Sequence, residues 1–394
     1  MSEYQYYEFL AIDRPLTERE MQELRAVSSR AIITATRFTN HYEWGNFKGD
    51  PRAWMERYFD AFLYFANWGT HELMLRLPRR VLDPATARRY CRGEAASALV
   101  KGEHVILEFL SEDEGSDWIE EDEDGSLSSL VPLRAEIASG DLRALYLGWL
   151  LCAQAGELDD DDQEPPCPPG LGRLSAALEA FVAFMRLDLD LLEAAAADSP
   201  EAEETLPAGD VERWVSGWLE AEKTALLVRL IRGDEPHLRA DLVRRFRNSR
   251  AASPSDTAAG RRTVGELLGA AAQRAGERRR REAERAARER ARQERAAAEA
   301  RERHLTLLAR RDAEAWGEVE ALIATKQPGK YDAAVALLRD LRELAVRSGR
   351  REEVEGRLGR LHEQHARKPS LIGRLRAAGL VGTGRDDGPA PVGH

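Results

Sequence analysis

A continuous run of strong helix formers constrains this chain more than any other stretch. From Glu277 to Arg303 the residues are only Ala, Arg, Glu and Gln, a composition that predicts a helix about 40 Å long. Glutamate stands four residues before arginine at three places, and each such pair stabilises a helix by roughly 0.2–0.5 kcal/mol. Alanine is the only apolar residue, so a coiled-coil seam lacks its large side chains. The run is therefore predicted to be a single solvated helix that separates two folded ends.

The whole chain of 394 residues is predicted to be an α+β protein in five parts. These are a ferredoxin-like head (1–125), a helical domain (126–250), a linker with the long Arg/Glu/Ala helix (251–304), a C-terminal helical docking module (305–380) and a disordered tail (381–394).

Alternating apolar and aromatic residues predict the strands of the head. They lie at residues 4–12, 32–39, 41–47 and 72–77, with a tight turn near Asn40. A further hairpin is predicted from residues 97–100 and 104–110, which turns through Lys101-Gly102-Glu103 and can extend the sheet.

Two helices are predicted between these strands. Thr17 and Glu20 form a capping box for the first. Asp50 and Pro51 open the second, whose aromatic face runs as far as Phe65. The resulting order, βαββαβ, is that of a ferredoxin-like unit, in which two helices cover one face of an antiparallel sheet.

The remaining regions are predicted to be helices and loops. Helical periodicity runs from Leu130 to Arg247, where one apolar face is predicted to continue from Leu174 to Leu192. Loops are predicted at 112–124, 157–170 and 249–260, because these stretches are acidic, proline-rich or small and polar. Three C-terminal helices are predicted from their periodicity and breaks, at 331–348, 352–365 and 369–378.

Charge is distributed unevenly along the chain. The formal net charge is −11, yet residues from 251 onward carry 30 Lys and Arg against 22 Asp and Glu, whereas residues 1–250 carry 28 against 47. A basic part of this kind can meet nucleic acid, or it can simply be solvated.

Location and redox state follow from two simpler observations. The N-terminal stretch has no basic and apolar signal-peptide pattern, and the longest uncharged apolar run, Ala144 to Ala153, has ten residues, too few to span a bilayer as a helix. A cytoplasmic location without membrane contact is expected. Cys91, Cys152 and Cys167 lack CxxC spacing, so free thiols are predicted, two of them buried.

Two segments carry a family resemblance. WGEVEALIATKQPGKYDAAVALLRDLRELAVRSG (316–349) and HARKPSLIGRLRAAGL (365–380) are similar to the helical tail of bacterial SWIM zinc-finger proteins. The opening YQYYEFLAIDRPLTERE (4–20) resembles bacterial hypothetical proteins without an assigned activity. The tail resemblance implies a shared docking module for protein partners. The C-x-C and C-x-H ligands of a SWIM finger are absent from this chain, so no zinc ligand is implied.

Few residues suggest chemistry. His41, Glu43 and Trp44 are predicted on a central strand of the head, where they could form a ligand surface, although strand packing explains them as well. His362 and His365 share a helix face without a third ligand, which indicates a solvated face more than a metal site. No catalytic, metal-binding or cofactor-binding residue is predicted, because no nucleophile elbow, phosphate-binding loop or dinucleotide turn occurs.

Two further features could bind nucleic acid. Arg278, Arg279, Arg280 and Arg281 offer phosphate contacts, but they point around the helix and glutamates lie beside them. Aromatic residues on the predicted strands could stack on bases, although core packing is favoured because the basic RNP1 pattern is missing. They are Tyr4, Tyr6, Tyr7, Phe9, Trp44 and Phe47.

Three functions remain open on this basis. The leading hypothesis is a non-enzymatic adaptor that binds proteins through its C-terminal helical module. The first alternative is a nucleic-acid-associated factor that uses the Arg-rich helix. The second is an enzyme or ligand-binding protein with its site on the sheet of the head.

Overall fold

The computed structural model describes residues 4–112, 127–201, 207–233, 237–250 and 262–381. Three predicted segments, the acidic loop at 112–124, the linker at 249–260 and the tail at 381–394, lie almost wholly outside the described residues. The chain divides into two compact units, Met1–Arg279 and Arg280–His394.

The first unit contains a seven-stranded sheet in which every neighbouring pair is antiparallel. The strand order is β2-β3-β1-β4-β5-β7-β6. The strands are β1 (Gln5–Leu10), β2 (Ile32–Ile33), β3 (Arg37–Tyr42), β4 (Ala61–Ala66), β5 (Thr70–Pro78), β6 (Ala96–Lys101) and β7 (His104–Glu112).

The described residues also contain sixteen helices. Those that end before residue 233 are α1 (Glu18–Val27), α2 (Pro51–Arg57), α3 (Pro84–Tyr90), α4 (Leu127–Leu130), α5 (Pro132–Ala138), α6 (Arg143–Gln154), α7 (Ala176–Phe184), α8 (Leu189–Ala196), α9 (Ala208–Ser216) and α10 (Glu220–Arg232). The others are α11 (Leu238–Arg250), α12 (Val264–Ala309), α13 (Asp312–Ala324), α14 (Pro328–Arg347), α15 (Arg351–Gln364) and α16 (Pro369–Ala377).

One face of the sheet packs against α1 and α2. Because side chains alternate along a strand, β1 presents Tyr7 and Phe9 to this side, where they join Leu24 of α1 and Trp54 of α2 in one buried cluster. The capping box predicted at the start of α1 is present, with the Thr17 side chain accepting from the backbone N–H of Glu20. We call this side of the sheet the aromatic face.

The opposite face of the sheet packs against a second, larger set of helices. Leu63, Leu75 and Phe109 from the strands share one core with helices α3 to α8 and the first turns of α12. Helix α6 approaches very closely, since a Cβ added to Gly148 would lie 2.5 Å from the Phe109 ring. The sheet therefore lies between two layers of side chains, and the helical region shares its core.

The second predicted helix was wrong in its C-terminal half. Helix α2 ends at Arg57, and Ala61–Ala66 is a strand that pairs with both β1 and β5. The change of structure occurs at the buried Asp60, which accepts hydrogen bonds from the backbone N–H groups of Ile12 and Asp13 at 2.7 and 2.9 Å. These contacts fix the chain at the start of β4, where aromatic spacing alone suggested a continuing helix.

The predicted turn at Asn40 was also wrong. Asn40 lies inside β3 opposite Tyr7, and its side chain donates to the Ser28 hydroxyl at 2.8 Å. The actual turn lies between Ile33 and Arg37, where the Thr34 hydroxyl accepts from the Arg37 backbone N–H. A buried partner thus keeps an asparagine within a strand.

The hairpin predicted at residues 97–110 is confirmed as β6 and β7, and it extends the sheet beyond β5. Its turn contains Gly102, whose φ of +54° favours glycine.

Two predictions in the helical region need correction. The apolar face predicted from Leu174 to Leu192 belongs to two helices, α7 and α8, because the chain turns at Arg186, which has a φ of +54°. The connection predicted as solvated at residues 157–170 is partly packed, since Glu164 and Pro168 within it are buried.

The long predicted helix is present within α12, which has 46 residues. Its first turns bury Val264, Leu267 and Ala271, whereas residues 277–300 are all exposed. This confirms a helix without a packed face over the Arg/Glu/Ala run.

The second unit has its own core, built from the end of α12 and helices α13 to α16. Trp316, Leu338 and Leu371 are buried in it. The predicted C-terminal helices are confirmed as α14, α15 and α16. Gly349 follows α14 with a φ of +70°, as its predicted role in ending that helix requires.

Candidate functional site

The predicted ligand surface at His41, Glu43 and Trp44 does not form a site on a central strand. Strand β3 lies second from the edge of the sheet, and only His41 belongs to it. Glu43 and Trp44 follow the strand, and Trp44 is 77% exposed. All three side chains are exposed, and the neighbouring Tyr42 is half-buried.

The loop that contains these residues nevertheless covers a polar region of the aromatic face. Gln5 donates from Nε2 to the carbonyl of Gly45 at 3.1 Å and to Asn46 Oδ1 at 3.3 Å. Phe47 follows and packs against Tyr7 and Trp54, with ring centroids 4.8 and 4.9 Å apart. The loop thus packs against the start of β1 and against α2.

Two glutamates lie on this face, and sequence reasoning missed both. Glu72 on β5 interacts with Glu108 on the adjacent β7, and Arg52 of α2 donates to Glu108 Oε1 from Nη2 at 2.7 Å and from Nε at 3.2 Å. Burial, followed by the negative charge of Glu108, raises the pKa of Glu72 to about 8. The raised pKa favours the protonated form of Glu72, while Glu108 forms an ion pair with Arg52.

Tyrosines border the two glutamates. Tyr7 donates its hydroxyl to Gln5 Oε1 at 2.7 Å, and the Tyr64 hydroxyl lies 3.5 Å from the same oxygen. Burial raises the pKa of Tyr64 to about 12. A protonated carboxyl group, a carboxylate and phenol groups can exchange protons or bind a small polar group. We call Glu72, Glu108 and Arg52 the carboxyl pair with its arginine.

Strand periodicity offered a signal for this cluster. Glu72, Met74 and Arg76 alternate along β5 and so share the aromatic face. A glutamate and an arginine at core positions of an apolar strand require partners, and that requirement points to buried polar clusters.

A second cluster consists of buried charges around Asp60. Arg76 donates to Asp60 Oδ1 from Nη2 at 2.7 Å. Arg134 of α5 donates to both oxygens of Asp13, at 2.8 and 2.5 Å, and through Nε to the carbonyl of Arg76 at 2.7 Å. Two carboxylates and two guanidinium groups balance in charge, which is how buried ions are tolerated.

His237 completes this cluster from the turn before α11. Its Nε2 lies 3.1 Å from Asp13 Oδ1. Burial by itself would raise the pKa of Asp13, but hydrogen bonds from His237 and Arg134 lower it well below its usual range. The network joins the β1–α1 loop, β5, α5 and the segment that leads into α11, so its role is structural.

A third cluster attaches the start of α12 to the first unit. Arg262 donates from Nε to Glu164 Oε2 at 2.9 Å, and the Tyr146 hydroxyl donates to the same carboxylate. The backbone N–H groups of Val264 and Gly265 donate to carbonyls of the 160–162 loop at 3.0 Å each. This set explains why the acidic, proline-rich connection is ordered.

The four predicted phosphate-binding arginines lie on α12, and all are exposed. Arg278 forms an ion pair with Asp190 of α8, with Nη2 2.8 Å from Oδ2. Arg278 thus contacts another helix of the first unit, and Arg279 donates through Nε to the carbonyl of Ala275 at 3.2 Å. Nucleic-acid binding by this segment stays a prediction.

Two of the six aromatic residues considered for base stacking are buried, three are half-buried and Trp44 is exposed. Tyr7 and Phe9 are buried, and Tyr6 stacks on Phe65 with centroids 5.1 Å apart. Core packing, the favoured interpretation, is confirmed for Tyr7 and Phe9.

An exposed apolar surface lies on α10. Thr224, Leu227, Val228 and Ile231 share the side of this helix that is open to solvent, and Ile231 is 83% exposed. We call these four residues the α10 stripe. Helix α10 has no buried residue. Four of its large aliphatic side chains, Leu227, Val228, Leu230 and Ile231, are exposed, which marks it as a candidate contact surface.

The second unit presents an open groove of about 390 Å³. It lies between the last turns of α12 and α14, and its lining combines Leu305, Ala309 and Leu344 with Glu302, Arg310 and Arg347. This groove is the surface in the C-terminal module to which a partner segment could bind.

Within the described residues, no three His, Cys, Asp or Glu side chains come together as metal ligands, and His362 and His365 gain no third partner of these types. All three cysteines are free, and Cys91 and Cys152 are buried, as predicted. No helix in the described parts of the chain is both long and apolar enough to cross a membrane.

Comparisons with known proteins identify no relative. No family model matches the chain, and no curated protein or solved structure matches it either.

Proposed function

We propose that this chain is a non-enzymatic interaction protein that binds other protein chains through helical surfaces. The observation that supports this most is the α10 stripe, where Leu227, Val228 and Ile231 are 58%, 49% and 83% exposed. Burying a large aliphatic side chain is worth roughly 1.5–3 kcal/mol. Clustered exposure of such residues is typical of contact surfaces, because covering them contributes to binding.

The C-terminal module supplies a second surface in this proposal. The second unit has its own core, and its groove combines Leu305 and Leu344 with charged residues. Apolar residues accompanied by charged ones are typical of protein interfaces. The protein partner expected from the sequence would bind here.

Photo-crosslinking in cells that make the protein tests both surfaces. A photoreactive amino acid replaces Val228 on α10, Thr306 in the groove, or Glu212 on the exposed side of α9 as the matched control. Adducts with one or a few defined protein bands are expected at Val228 and Thr306 and not at Glu212. Equal labelling at all three positions would contradict the proposal.

Two finer features belong to the same proposal. We infer that β1 to β4 with α1 and α2 form a ferredoxin-like unit. Support comes from the element order β-α-β-β-α-β, the neighbour order β2-β3-β1-β4 and the burial of both helices in one cluster. We also propose that the protein works in the cytoplasm, as its sequence suggests.

Nucleic-acid binding by the Arg-rich helix is an alternative. It is motivated by the exposure of Arg279, Arg280 and Arg281. Phosphate contacts release counterions, so such binding must weaken steeply as salt rises. Binding that is insensitive to salt, or that survives replacement of Arg278 to Arg281 by alanine, would exclude this helix as the contact.

An enzyme or ligand-binding site is the second alternative, and the carboxyl pair with its arginine favours it. A protonated Glu72 beside Glu108 is suited to proton transfer. Steady turnover of a nucleotide, ester or peptide by the purified protein, abolished by Glu72→Gln, would support this function over the adaptor.

A further inference from the structure

Strand β6 is the last strand at one end of the described sheet. It pairs with β7, and just before it the carbonyl of Ala95 accepts from the backbone N–H of Leu110 at 2.9 Å. In an antiparallel pair, the residues that exchange hydrogen bonds alternate along each strand. Every second residue from Ala95 onward thus directs its backbone groups at β7, whereas the backbone groups of Ala98 and Val100 point outward.

These outward groups are unpaired within the described residues. The carbonyl of Ala96 accepts from the backbone N–H of Gly93 at 3.1 Å, so the start of the strand is already satisfied. No hydrogen bond in the described parts of the chain reaches the N–H or the C=O of Ala98 or Val100 on the outer side. We call these backbone groups the β6 edge. Donors and acceptors that alternate along an edge match the backbone of one further strand.

The two faces of β6 differ, and they determine which side chains suit a strand that pairs with it. Leu99 is 39% exposed and lies opposite Ile106, which belongs to the cluster on the aromatic face. Ala98 lies opposite Leu107, which belongs to the core on the other face. Side chains of a paired strand alternate in the same way. Apolar side chains therefore suit the positions beside Leu99, and the others lie on the side of the helices.

The charges near β6 indicate the character of these other side chains. Residues 79–103 contain six Lys and Arg against three Asp and Glu, although residues 1–250 as a whole are strongly acidic. Arg88 and Arg89 are exposed on α3, a helix that contacts β6 and contributes to the core on that face. Neither arginine forms an ion pair within the described residues. Acidic side chains on a paired strand are therefore favoured over basic ones.

We propose that the β6 edge binds an extended acidic segment of another protein, which pairs with β6 in antiparallel orientation. Every neighbouring pair in this sheet is antiparallel. Acidic residues of the segment exchange backbone hydrogen bonds with Ala98 and Val100 and direct their side chains to the side of α3. Apolar residues between them contact Leu99. This inference goes beyond the proposed function, because it uses neither α10 nor the C-terminal groove.

Binding of a synthetic peptide tests the proposal. The probe carries fluorescein and has about eight residues, in which glutamate and valine alternate. Its anisotropy is followed while the full chain is added up to about 1 mM, because a few hydrogen bonds give only weak binding. Saturable binding is expected, and the peptide with lysine in place of glutamate should bind at least about fivefold more weakly. Absence of binding, or equal affinity for the two peptides, would overturn the proposal.

N-methylation of the peptide distinguishes strand pairing from simple charge attraction. A methyl group on an amide nitrogen removes a hydrogen-bond donor and leaves every side chain in place. Methylation of the glutamate nitrogens should weaken binding by about tenfold or more, whereas methylation of the valine nitrogens, which face away from β6, should change it by less than about twofold. Peptides that bind equally well with and without methylated glutamates would contradict pairing with β6.

Variants of the protein test the same edge. Ala98→Pro removes the outward N–H and keeps the hydrogen bonds between β6 and β7, so it should weaken peptide binding by about tenfold or more. Ala98→Thr keeps this N–H and should bind as the native chain does. Arg88→Glu should weaken binding by about threefold or more, whereas Arg30→Glu, at an exposed arginine after α1, should not. Circular dichroism confirms that each variant folds.

A second copy of this chain is the competing occupant of the β6 edge. If the native chain dimerises in sedimentation equilibrium without peptide, and Ala98→Pro makes it monomeric, then β6 pairs with itself and the proposal is wrong. Native-like peptide binding by Ala98→Pro would also overturn it. Either failure leaves the proposed function in place, because crosslinks at Val228 and Thr306 test the helical surfaces separately.

Discussion

Arg76 directs two guanidinium N–H groups at one carboxylate oxygen of Asp60, with Nε 3.1 Å and Nη2 2.7 Å from Oδ1. The other oxygen of Asp60 accepts from two backbone N–H groups. Both side chains are at least nine-tenths buried. Both oxygens of the Asp60 carboxylate thus accept two hydrogen bonds each. Removal of this carboxylate leaves the buried guanidinium of Arg76 without its ion-pair partner.

Asp60→Ala is therefore expected to destabilise the protein by about 3–5 kcal/mol, the usual cost of breaking a buried ion pair from one side. Urea unfolding measures the change. Arg19→Ala is the control, because its ion pair with Glu23 is exposed and should be worth less than about 1 kcal/mol. Equal effects of the two substitutions would contradict a stabilising role for the buried network.

Glu72 should make stability depend on pH. Its pKa rises from the ordinary 4.5 to about 8 on folding, so the folded state binds the proton more tightly than the unfolded state between these values. The free energy of unfolding then falls as pH rises through this window. Glu72→Gln keeps the side chain neutral, and at pH 9 the variant should be more stable than the native protein by about 1–3 kcal/mol.

Urea unfolding at several pH values between about 5 and 9 measures this difference. Glu43→Gln, in the exposed loop after β3, serves as the control and should leave the slope as it is. Parallel pH profiles of the native protein and the Glu72→Gln variant would show that folding does not change the pKa of Glu72.

Gly148→Ala should separate helix α6 from the sheet. The added Cβ would lie 2.5 Å from a ring carbon of Phe109 and 3.2 Å from the Cβ of Ala96, so we expect a loss of about 1–3 kcal/mol from overpacking. Gly359→Ala is the matched control on the exposed side of α15, where nothing lies within 4 Å. It should instead stabilise by about 0.5–1 kcal/mol through helix propensity. Thermal unfolding shows whether each variant is less or more stable than the native protein.

The Arg/Glu/Ala part of α12 should exchange its amide hydrogens quickly. Residues 277–300 are exposed on every side, so their backbone hydrogen bonds gain little from tertiary packing. Hydrogen exchange read by mass spectrometry should show much less protection here than in α6, where residues from Ala144 to Ala153 are buried. Comparable protection would mean that this part of α12 is covered by another chain.

Sequence patterns predicted the elements whose signals are local. The capping box at Thr17, the hairpin of β6 and β7, and the Arg/Glu/Ala helix each depend on residues that are close in sequence. The strand at Ala61–Ala66 was missed because its apolar run fits either structure, and only its pairing with β1 and β5 decides. Long-range pairing of this kind leaves no periodic mark in a single sequence.

For the candidate sites, too, residues that are close in sequence were recognised and groups formed by distant strands were not. The sequence singled out His41, Glu43 and Trp44 because they are chemically prominent, but the polar cluster on the aromatic face is formed by Glu72 and Glu108 from strands far along the chain. The α10 stripe was hidden by a different effect, since apolar residues at helical spacing usually indicate a core. Only the fold reveals that this stripe lies on the surface.

The three cysteines have a practical consequence. Burial raises the pKa of Cys152 and Cys167 to about 11 and that of Cys91 to about 12. At neutral pH only about one thiol in ten thousand at such a site is ionised, and the ionised form is the one that reacts. A cysteine introduced at exposed Ala287 would thus react with a maleimide dye far ahead of the native thiols. The Ala287→Cys variant could therefore be labelled with a fluorescent dye at one site, and no native cysteine would have to be removed.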